Sequence, residues 1–324
     1  NKASQVIFVR DGNRSVITMN SDFKGDVKDF AMVIPVPEVL TRDQIRIAKG
    51  SVFKTLDAYS APRIVEYFDP NPCYEYRMKK ESGFMNDLEI AEESNVMMDK
   101  DEKVNSVTIE ATYNVGEYDI LILSAKESGG LKTWLVQNGY KLPSKAEEVL
   151  EPYIKSDMKF FVVKVNLEKQ AESEFSELRP LQISVNTPKF MLPIRLGMIN
   201  AKGPQELFVY VLTKNGRVET SNYPNVKIPS DLDLPIFIKE EFADFYKSMF
   251  DRQVKKEGMK AVFTEYFWDM GWCDPCAADP LSVKQLKSLG VFWVDEPPYR
   301  KRRGGFMPPR GGARNVKVTR LHLR

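Results

Sequence analysis

The feature that most constrains the fold is a pair of strand patterns near the middle of the 324-residue chain. Apolar and polar side chains alternate from Val107 to Tyr113, with the apolar ones on one side, which predicts a strand with one buried face. After a glycine turn, residues 118–124 are apolar on both faces apart from Asp119. A strand of this kind lies at the centre of a sheet and needs a packing layer on each side. The chain therefore has to fold around a covered sheet.

Turn dipeptides, apolar runs and helix caps predict the other elements. Hairpins are predicted at Asp11-Gly12 and at Asn215-Gly216, where residues 207–213 would pair with residues 217–221. Further strands are predicted at residues 30–36, 159–166, 180–185, 190–198 and 316–323. Helices are predicted at residues 128–138 and 235–258, in two pieces of residues 50–68 divided by Pro62, and after capping boxes at Ser144 and Ser282; residues 262–270 also look helical. Together the elements predict an α+β fold, a largely antiparallel mixed sheet with packed helices.

The longest predicted helix runs from Pro235 to Gly258 and is expected to cover one face of the sheet. Two glutamates in its first turn and two lysines in its last turn complement the helix dipole, and the glycine follows as a cap. Apolar side chains recur at helical spacing and predict a core-facing stripe rather than a cofactor site, formed by Ile238, Phe242, Phe245, Tyr246 and Met249.

Basic residues are concentrated at the end of the chain. Residues 300–324 hold nine of the 47 Lys and Arg residues and no acidic residue, so the remaining 38 basic and 45 acidic residues give residues 1–299 a net charge of −7. This distribution excludes a uniformly basic nucleic-acid-binding surface. RNA binding by the Arg/Gly tract is the alternative to a solvated basic loop, and the loop is favoured because one short tract is thin support. No nucleic-acid partner is expected, and other partners stay unknown.

Two segments are predicted to be excursions from a single α+β unit that spans residues 1–324. Residues 75–103 hold nine acidic and five basic residues without sustained periodicity, which favours a charged, mobile insert. Residues 297–315 are rich in Arg, Gly and Pro and predict a loop. Because the chain begins without Met at Asn1 and ends in a strand at Arg324, truncation at both ends is expected. No run approaches the ~18 apolar residues of a transmembrane helix.

The cysteines are the main candidates for chemistry. Cys273 and Cys276 lie in Trp-Cys-Asp-Pro-Cys, which matches the Trp-Cys-x-Pro-Cys pattern of thioredoxin-type redox sites. The helix-like stretch before this motif and the short chain after it disfavour a thioredoxin fold. A structural disulfide or a reduced buried pair is therefore favoured, and a redox-active pair is the alternative. Cys73, in a proline-rich turn, is either a lone structural thiol or the partner of a cysteine upstream of Asn1.

Other kinds of site have weaker support. The three cysteines with His322 would form a Cys₃His zinc set, but only the Cys-x-x-Cys half has ligand spacing, so no metal site is predicted. His322 is the only histidine and lies in an alternating strand, which favours a structural role over that of a catalytic base. The chain has no Gly-x-Ser-x-Gly elbow, no phosphate-binding loop of the Walker type and no His-Glu-x-x-His helix. No catalytic residue and no cofactor is predicted, and a non-enzymatic role is favoured.

Six segments, taken in order, resemble one known family, the bacterial "domain of unknown function 2330" family of exported, uncharacterised proteins. They are residues 1–6, 56–63, 116–125, 188–198, 272–281 and 319–324. The resemblance spans essentially the whole chain. It implies a secretion signal and a cysteine just before Asn1, a periplasmic or extracellular location, oxidised cysteines, and more chain after Arg324. Cys73 would then have the upstream cysteine as its natural partner. No catalytic residues are established for the family, so none are transferred to this sequence.

These observations predict an exported, non-enzymatic structural or binding protein. The alternative is a thiol–disulfide oxidoreductase that uses Cys273 and Cys276. The two hypotheses differ in whether this pair of cysteines cycles between dithiol and disulfide or stays in one state.

Overall fold

The fold is described from a computed structural model. The residues described are 3–20, 31–66, 103–104, 107–140, 142, 145–172, 178–196, 203–229, 232–271, 278–294 and 313–324. The strands are β1 (Ala3–Asp11), β2 (Arg14–Asn20), β3 (Ala31–Val36), β4 (Ile45–Ile47), β5 (Lys103–Val104), β6 (Val107–Val115), β7 (Tyr118–Ala125), β8 (Lys159–Val165), β9 (Leu181–Asn186), β10 (Glu206–Thr213), β11 (Asn225–Lys227), β12 (Val262–Asp269) and β13 (Lys317–Leu323). The helices are α1 (Ser51–Ser60), α2 (Ser128–Gln137), α3 (Ala146–Lys155), α4 (Leu167–Glu172), α5 (Phe242–Lys256) and α6 (Val283–Ser288).

The strands form two sheets, which confirms the predicted α+β class. The larger sheet has the order β11-β12-β13-β10-β1-β2-β9-β4, and the smaller has the order β3-β8-β7-β6-β5. Neighbouring strands are antiparallel except for β1 with β10 and β11 with β12, which are parallel. The prediction of one mixed sheet is refined to two sheets, because the inner faces of both are apolar enough to pack on each other.

Three apolar clusters show the order of the layers. Val6 and Phe8 of β1 face the smaller sheet, whereas Ile7 and Val9 face α1 and α6. The smaller sheet is covered on its outer side by α2 and α3, with Leu131 among the buried side chains. The layers are therefore helices, larger sheet, smaller sheet and helices. Both sheets are buried on both faces over their central strands.

The strand predicted to be central is β7, and it lies in the middle of the smaller sheet. Ile120 and Ile122 pack between the two sheets, whereas Leu123 packs against α2 and α3. The preceding strand, β6, was predicted to keep its apolar residues on one side. Its register shifts between Ile109 and Ala111, so residues 107 and 109 pack against the helices and residues 111, 113 and 115 pack between the sheets. The bulge adds a residue and turns the second half of the strand over.

The long predicted helix begins later than expected and buries a different face. Residues 236–239 form a 3₁₀ turn, and α5 then runs over Phe242–Lys256. Its fully buried side chains are Phe250 and Val254, which pack on β12 through Phe263. The predicted stripe is only half-buried. The helix packs at the edge of the larger sheet, so only its last two turns bury side chains fully against the sheet.

Several further predictions differ from the structure. Residues 262–270 are not helical, because β12 pairs with β13 on one side and with β11 on the other. Residues 217–221 form no strand, because β10 is already flanked by β1 and β13. Residues 190–194 have no regular secondary structure, residues 195–196 are helical, and residues 61–66 are not helical. The capped helix after Ser282 is confirmed: its hydroxyl accepts from the Gln285 amide, and its own amide donates to the Gln285 side chain.

One ion pair joins the two sheets at the turn between β6 and β7. The Glu117 carboxylate is 1% exposed and accepts from the Arg179 guanidinium at 2.6 Å, just before β9. The Tyr118 hydroxyl donates to the carbonyl of the same arginine at 2.6 Å. Gly116 precedes this pair at φ +56°, and a Cβ there would lie 2.7 Å from the arginine Nη2. The turn therefore requires glycine both for its backbone conformation and for space.

The two predicted excursions lie mostly outside the described residues. Lys103, the last residue of the predicted insert, begins β5, and the rest of residues 75–103 is not described. Of residues 297–315, only the last three are described, and there Ala313 is buried while the Asn315 carbonyl accepts from the Trp293 indole at 2.9 Å. The end of the predicted loop is therefore packed. None of the described helices is long and apolar enough to cross a membrane.

Candidate functional site

Five strands of the larger sheet have an end at the same place. Because β1 and β10 are parallel, Ala3 pairs with Glu206 at their starts. The strands β2 and β13 are antiparallel to these two, so Asn20 and Leu323 lie at the same end. The first residue of β12, Val262, also lies here, since β12 is antiparallel to β13. We call this place the Glu206 end of the sheet. Topology thus brings together residues that are far apart in the sequence.

A cavity of about 300 Å³ lies between the two sheets at the Glu206 end. Its body is lined by apolar side chains of both sheets, among them Val6, Ile17, Met19, Met32, Ile34 and Leu207. Its polar lining comes from the strand ends and consists of Ser4, Gln5, Asn20, Gln205, Glu206, Lys260 and Arg324. Small-molecule sites have volumes of roughly 300–1,000 Å³, are mostly apolar and carry a few polar groups. The cavity has this character and lies at the lower end of that range.

Residues 187–196 cross between the sheets and close one side of the cavity; we call them the strap. The strap is anchored at its start, where the Thr187 amide donates to the Asn13 carbonyl at 2.8 Å. The Arg10 guanidinium donates to the Pro188 carbonyl at 3.2 Å, and the Phe190 ring packs against the core at 5.0 Å from another phenylalanine ring, Phe8. The later strap residues Leu192, Pro193, Ile194 and Leu196 then line the cavity.

A second cavity, of about 250 Å³, lies along the strap next to the first. Both cavities are lined by Ile17, Ile34 and Pro193, so these three side chains form the partition between them. The second cavity is lined by the beginning of the strap, which directly follows β9, and its polar groups include Ser15 and Lys189. A larger side chain at the partition would reduce both volumes.

A buried ion network lies on the helix-covered face of the larger sheet, beside the cavity. Its centre is Glu265 of β12, whose side chain is 1% exposed. The Arg320 guanidinium donates to its Oε2 at 2.6 Å. The Tyr246 hydroxyl donates to its Oε1 at 2.5 Å, and His322 Nδ1 lies 2.7 Å from the same oxygen. One carboxylate from the sheet therefore holds two residues of the adjacent strand and one of α5.

Ionic partners decide the protonation of this network. Burial raises the pKa of the Glu265 carboxyl, but the hydrogen bond and charge of His322 together with the charge of Arg320 outweigh burial, so the pKa lies below its usual value. Burial lowers the pKa of Arg320, but the charges of Glu265, Tyr210 and Asp57 together with the Glu265 hydrogen bond outweigh burial, so the pKa lies above its usual value. Burial and the neighbouring carboxylate both raise the pKa of the Tyr246 hydroxyl. At neutral pH the glutamate is ionised and the tyrosine is neutral.

His322 connects the network to the cavity. Its imidazole is packed between the rings of Phe250 and Phe208, with centroid distances of 4.0 and 4.1 Å. Its Nε2 is buried without a hydrogen-bond partner among the described residues and lies 3.8 Å from an oxygen of Glu206. The other oxygen of Glu206 binds the Arg324 guanidinium. Since both of these charged residues line the cavity, the network forms part of its wall.

A second arm of the network also reaches the cavity. Asp57 of α1 accepts from Arg320 at 2.7 Å and from the Tyr210 hydroxyl at 3.0 Å. That hydroxyl accepts from the Gln5 amide at 3.4 Å, and Gln5 lines the cavity. The two arms fix the polar side chains of the Glu206 end through buried partners. Groups held in this way are pre-organised to bind, because little side-chain entropy is left to lose.

The site residues predicted from sequence are placed as follows. Cys73, Cys273 and Cys276 lie outside the described residues, so their pairing stays a prediction. His322 has the buried, packed position expected of a structural histidine. Within the described parts of the chain, no group of three or more His, Cys, Asp and Glu side chains is placed to hold a metal ion. The helix predicted before the Cys-x-x-Cys motif, which argued against a thioredoxin-type site, is not present. This segment forms β12, and the strand ends shortly before the motif.

The residues of the cavity and the network were not predicted from the sequence. Glu206, Glu265 and Asp57 lie in three distant segments, and no local pattern distinguishes them from the other 42 acidic residues. The one local indication was β13, where Arg320 and His322 share one face of the strand with Val318. Two ionisable side chains on a buried face require partners, so this pattern could have predicted a buried counter-charge.

Comparisons with known proteins place the chain in context. The family described as "Uncharacterized protein conserved in bacteria (DUF2330)" matches residues 1–324. No curated protein shows significant similarity to the chain. No solved structure shows significant similarity to it either.

Proposed function

The chain belongs to the bacterial DUF2330 family of uncharacterised proteins, and we propose that it is an exported, non-enzymatic binding protein that holds a small apolar or amphipathic molecule between its two sheets. The observation that carries the proposal is the cavity of about 300 Å³ at the Glu206 end. Well-packed interiors leave few voids larger than a water molecule, so a cavity of this size is retained where it has a use.

The lining supports binding rather than a reaction. The apolar body offers dispersion contacts and removes apolar surface from water, and the polar groups lie only at one end. Apart from Lys260, the ionisable groups of the wall are engaged with each other, as in the contacts of Glu206 with Arg324 and of Glu265 with His322. Groups already paired in this manner are suited to shaping a wall, because proton transfer to a ligand would break a buried ion pair.

Titration with octanol, a neutral amphipathic probe, tests the proposal. We expect calorimetry to show saturable binding at one site of the wild-type chain. Leu207→Trp places a larger side chain in the cavity and should abolish binding, whereas the matched Leu207→Met keeps the volume and should retain it. Thermal unfolding of both variants verifies that they are folded. Absence of saturable binding, or equal binding by the wild type and Leu207→Trp, contradicts the proposal.

Export is supported by the resemblance of six segments to a family of exported proteins. Cell fractionation of a host that expresses the full-length gene provides the test. We expect the protein in the periplasmic or extracellular fraction, with an N-terminus created by removal of a secretion signal. An unprocessed protein confined to the cytoplasm would be the opposite result.

A thiol–disulfide oxidoreductase that uses Cys273 and Cys276 is the second candidate. The observation that favours it is that β12 ends at Asp269, so a strand precedes the Cys-x-x-Cys motif, as in thioredoxin-type sites. In the reaction, the cysteine pair accepts two electrons and two protons from a substrate dithiol, which becomes a disulfide. Turnover of a small dithiol that is lost in both Cys273→Ser and Cys276→Ser supports this candidate. A pair that resists mild reductants and is alkylated only after denaturation and strong reduction excludes it.

A further inference from the structure

The lining of the cavity restricts the chemistry of its ligand beyond the apolar character already argued. We propose that the ligand is a small organic anion, with one apolar chain or ring and one carboxylate, whose carboxylate binds at Lys260 and the neighbouring amide side chains. This inference rests on the proposed binding function and assigns a ligand class to the same cavity.

The arrangement of polar groups requires an amphipathic ligand. The apolar lining extends between the two sheets, whereas Asn20, Gln205 and Lys260 lie at strand ends or just before them. The topology explains this separation, because the ends of β1, β2, β10 and β13 coincide at the Glu206 end. A ligand that is apolar throughout would leave these polar groups facing apolar surface. A ligand with one polar head group can fill the cavity and still satisfy them.

The size and composition of the cavity restrict the apolar part. A volume of about 300 Å³ admits a single short chain or a single ring with its substituents and leaves no room for a two-chain lipid. Three of the lining residues are Met19, Met32 and Met259. Methionine side chains are flexible and polarizable, so such a wall adapts to chains or rings of slightly different shape.

The charges at the Glu206 end favour an anionic head group. Glu206 is neutralised by the Arg324 guanidinium, which also binds Asp251 of α5. Lys260 lines the cavity, and no ion pair joins its ammonium group to another described residue. The lining residues Lys260, Arg324 and Glu206 therefore sum to one net positive charge, and Lys260 is the cation among them that has no described counter-ion. A carboxylate would find an ammonium group and amide donors there, whereas a cation would find a carboxylate that already has its counter-ion.

The test compares three probes that differ only in the head group: octanoate, octanol and octylammonium. Calorimetry on the wild-type chain should show the tightest binding for octanoate and the weakest for octylammonium. Lys260→Glu should weaken octanoate binding by about fivefold to tenfold, as expected for reversal of a solvent-exposed charge. Lys214→Glu makes the same change in charge in the turn after β10, at the opposite end of the sheet, and should leave the affinity unchanged.

Salt provides a second measurement. Octanoate binding should weaken as the ionic strength rises, whereas octanol binding should not, because screening acts only on the charged head group. Equal affinities for octanoate and octanol, or equal losses in Lys260→Glu and Lys214→Glu, would overturn the anionic ligand while leaving the cavity as a binding site. If none of the three probes binds, or if Leu207→Trp binds octanol as the wild type does, the proposed function itself fails.

Discussion

The imidazole ring of His322 lies parallel to the phenyl ring of Phe250, with the centroids 4.0 Å apart and 2° between the planes. The stack joins the last strand of the larger sheet to α5 at the point where the ion network meets the cavity. The same phenyl ring also packs edge-on against Phe263 at 5.0 Å, and the Arg324 guanidinium lies 4.8 Å from its centroid. This one aromatic side chain therefore supports both the helix and the charged wall of the cavity.

Removing the Phe250 ring should lower the free energy of unfolding more than removing another aromatic ring of α5. Phe250 is 1% exposed, so Phe250→Ala should lower the free energy of unfolding by about 3–5 kcal/mol. Phe245 lies on the half-buried side of the same helix, and Phe245→Ala should cost less than half as much. Urea unfolding followed by circular dichroism measures both. Equal losses would show that α5 is not held mainly by its buried face.

Neutralising the central carboxylate should destabilise the fold, although the substitution hardly changes its size. Glu265→Gln leaves Arg320 and His322 without the charge that both contact at 2.6–2.7 Å. Breaking a buried ion pair in this way costs about 3–5 kcal/mol. The control is Glu219→Gln, because that glutamate pairs with Arg217 in solvent, and a change within about 0.5 kcal/mol is expected there. A loss as small as that of the control would contradict the role assigned to Glu265.

The same carboxylate should make stability depend on acid pH. The pKa of Glu265 is lower in the folded chain than in the unfolded chain. Its ionised form therefore contributes stability that is fully present above the unfolded pKa and is lost as the pH falls through the folded pKa. The difference in unfolding free energy between the wild type and Glu265→Gln should be largest at neutral pH and should shrink on acidification. Denaturation series at successive pH values measure it, and a constant difference would refute the assignment.

Gly290 should tolerate a methyl group less well than Gly12. Gly290 follows α6 at φ +96°, and a Cβ there would lie 2.6 Å from a methyl carbon of Val16 in the core. Gly12 has φ +55° but no atom within 4 Å of that position. Gly12→Ala should cost about 1 kcal/mol from backbone strain alone. Gly290→Ala should cost at least about 1–3 kcal/mol more, from overpacking. Thermal unfolding distinguishes the two, and similar melting temperatures would contradict the close approach.

Local patterns were sufficient for elements whose partners are near in the sequence. The two-sided apolar run at residues 118–124 predicted the central strand β7, and the turn at Asp11-Gly12 predicted the hairpin of β1 with β2. The capping box at Ser282 predicted the start of α6. In each case the determining interaction spans only a few residues. The prediction of a helix in the aromatic run at residues 262–270 is wrong, because strand pairing with β13, more than 40 residues later, overrides the local helical pattern.

By itself, the sequence determined the α+β class, the family and the distribution of charge, with residues 1–299 acidic and the end of the chain basic. It also singled out His322 as a residue that needs a structural environment. The tertiary structure alone decided that β10 lies between β1 and β13, the strands from the two ends of the chain, so that Glu206 contacts Arg324 directly and approaches Glu265 through His322. It also decided that Arg320 and Arg324, counted as part of a basic tail, are the counter-ions of buried and half-buried carboxylates. Charge can be counted along a sequence, but its compensation depends on distances that only the fold sets.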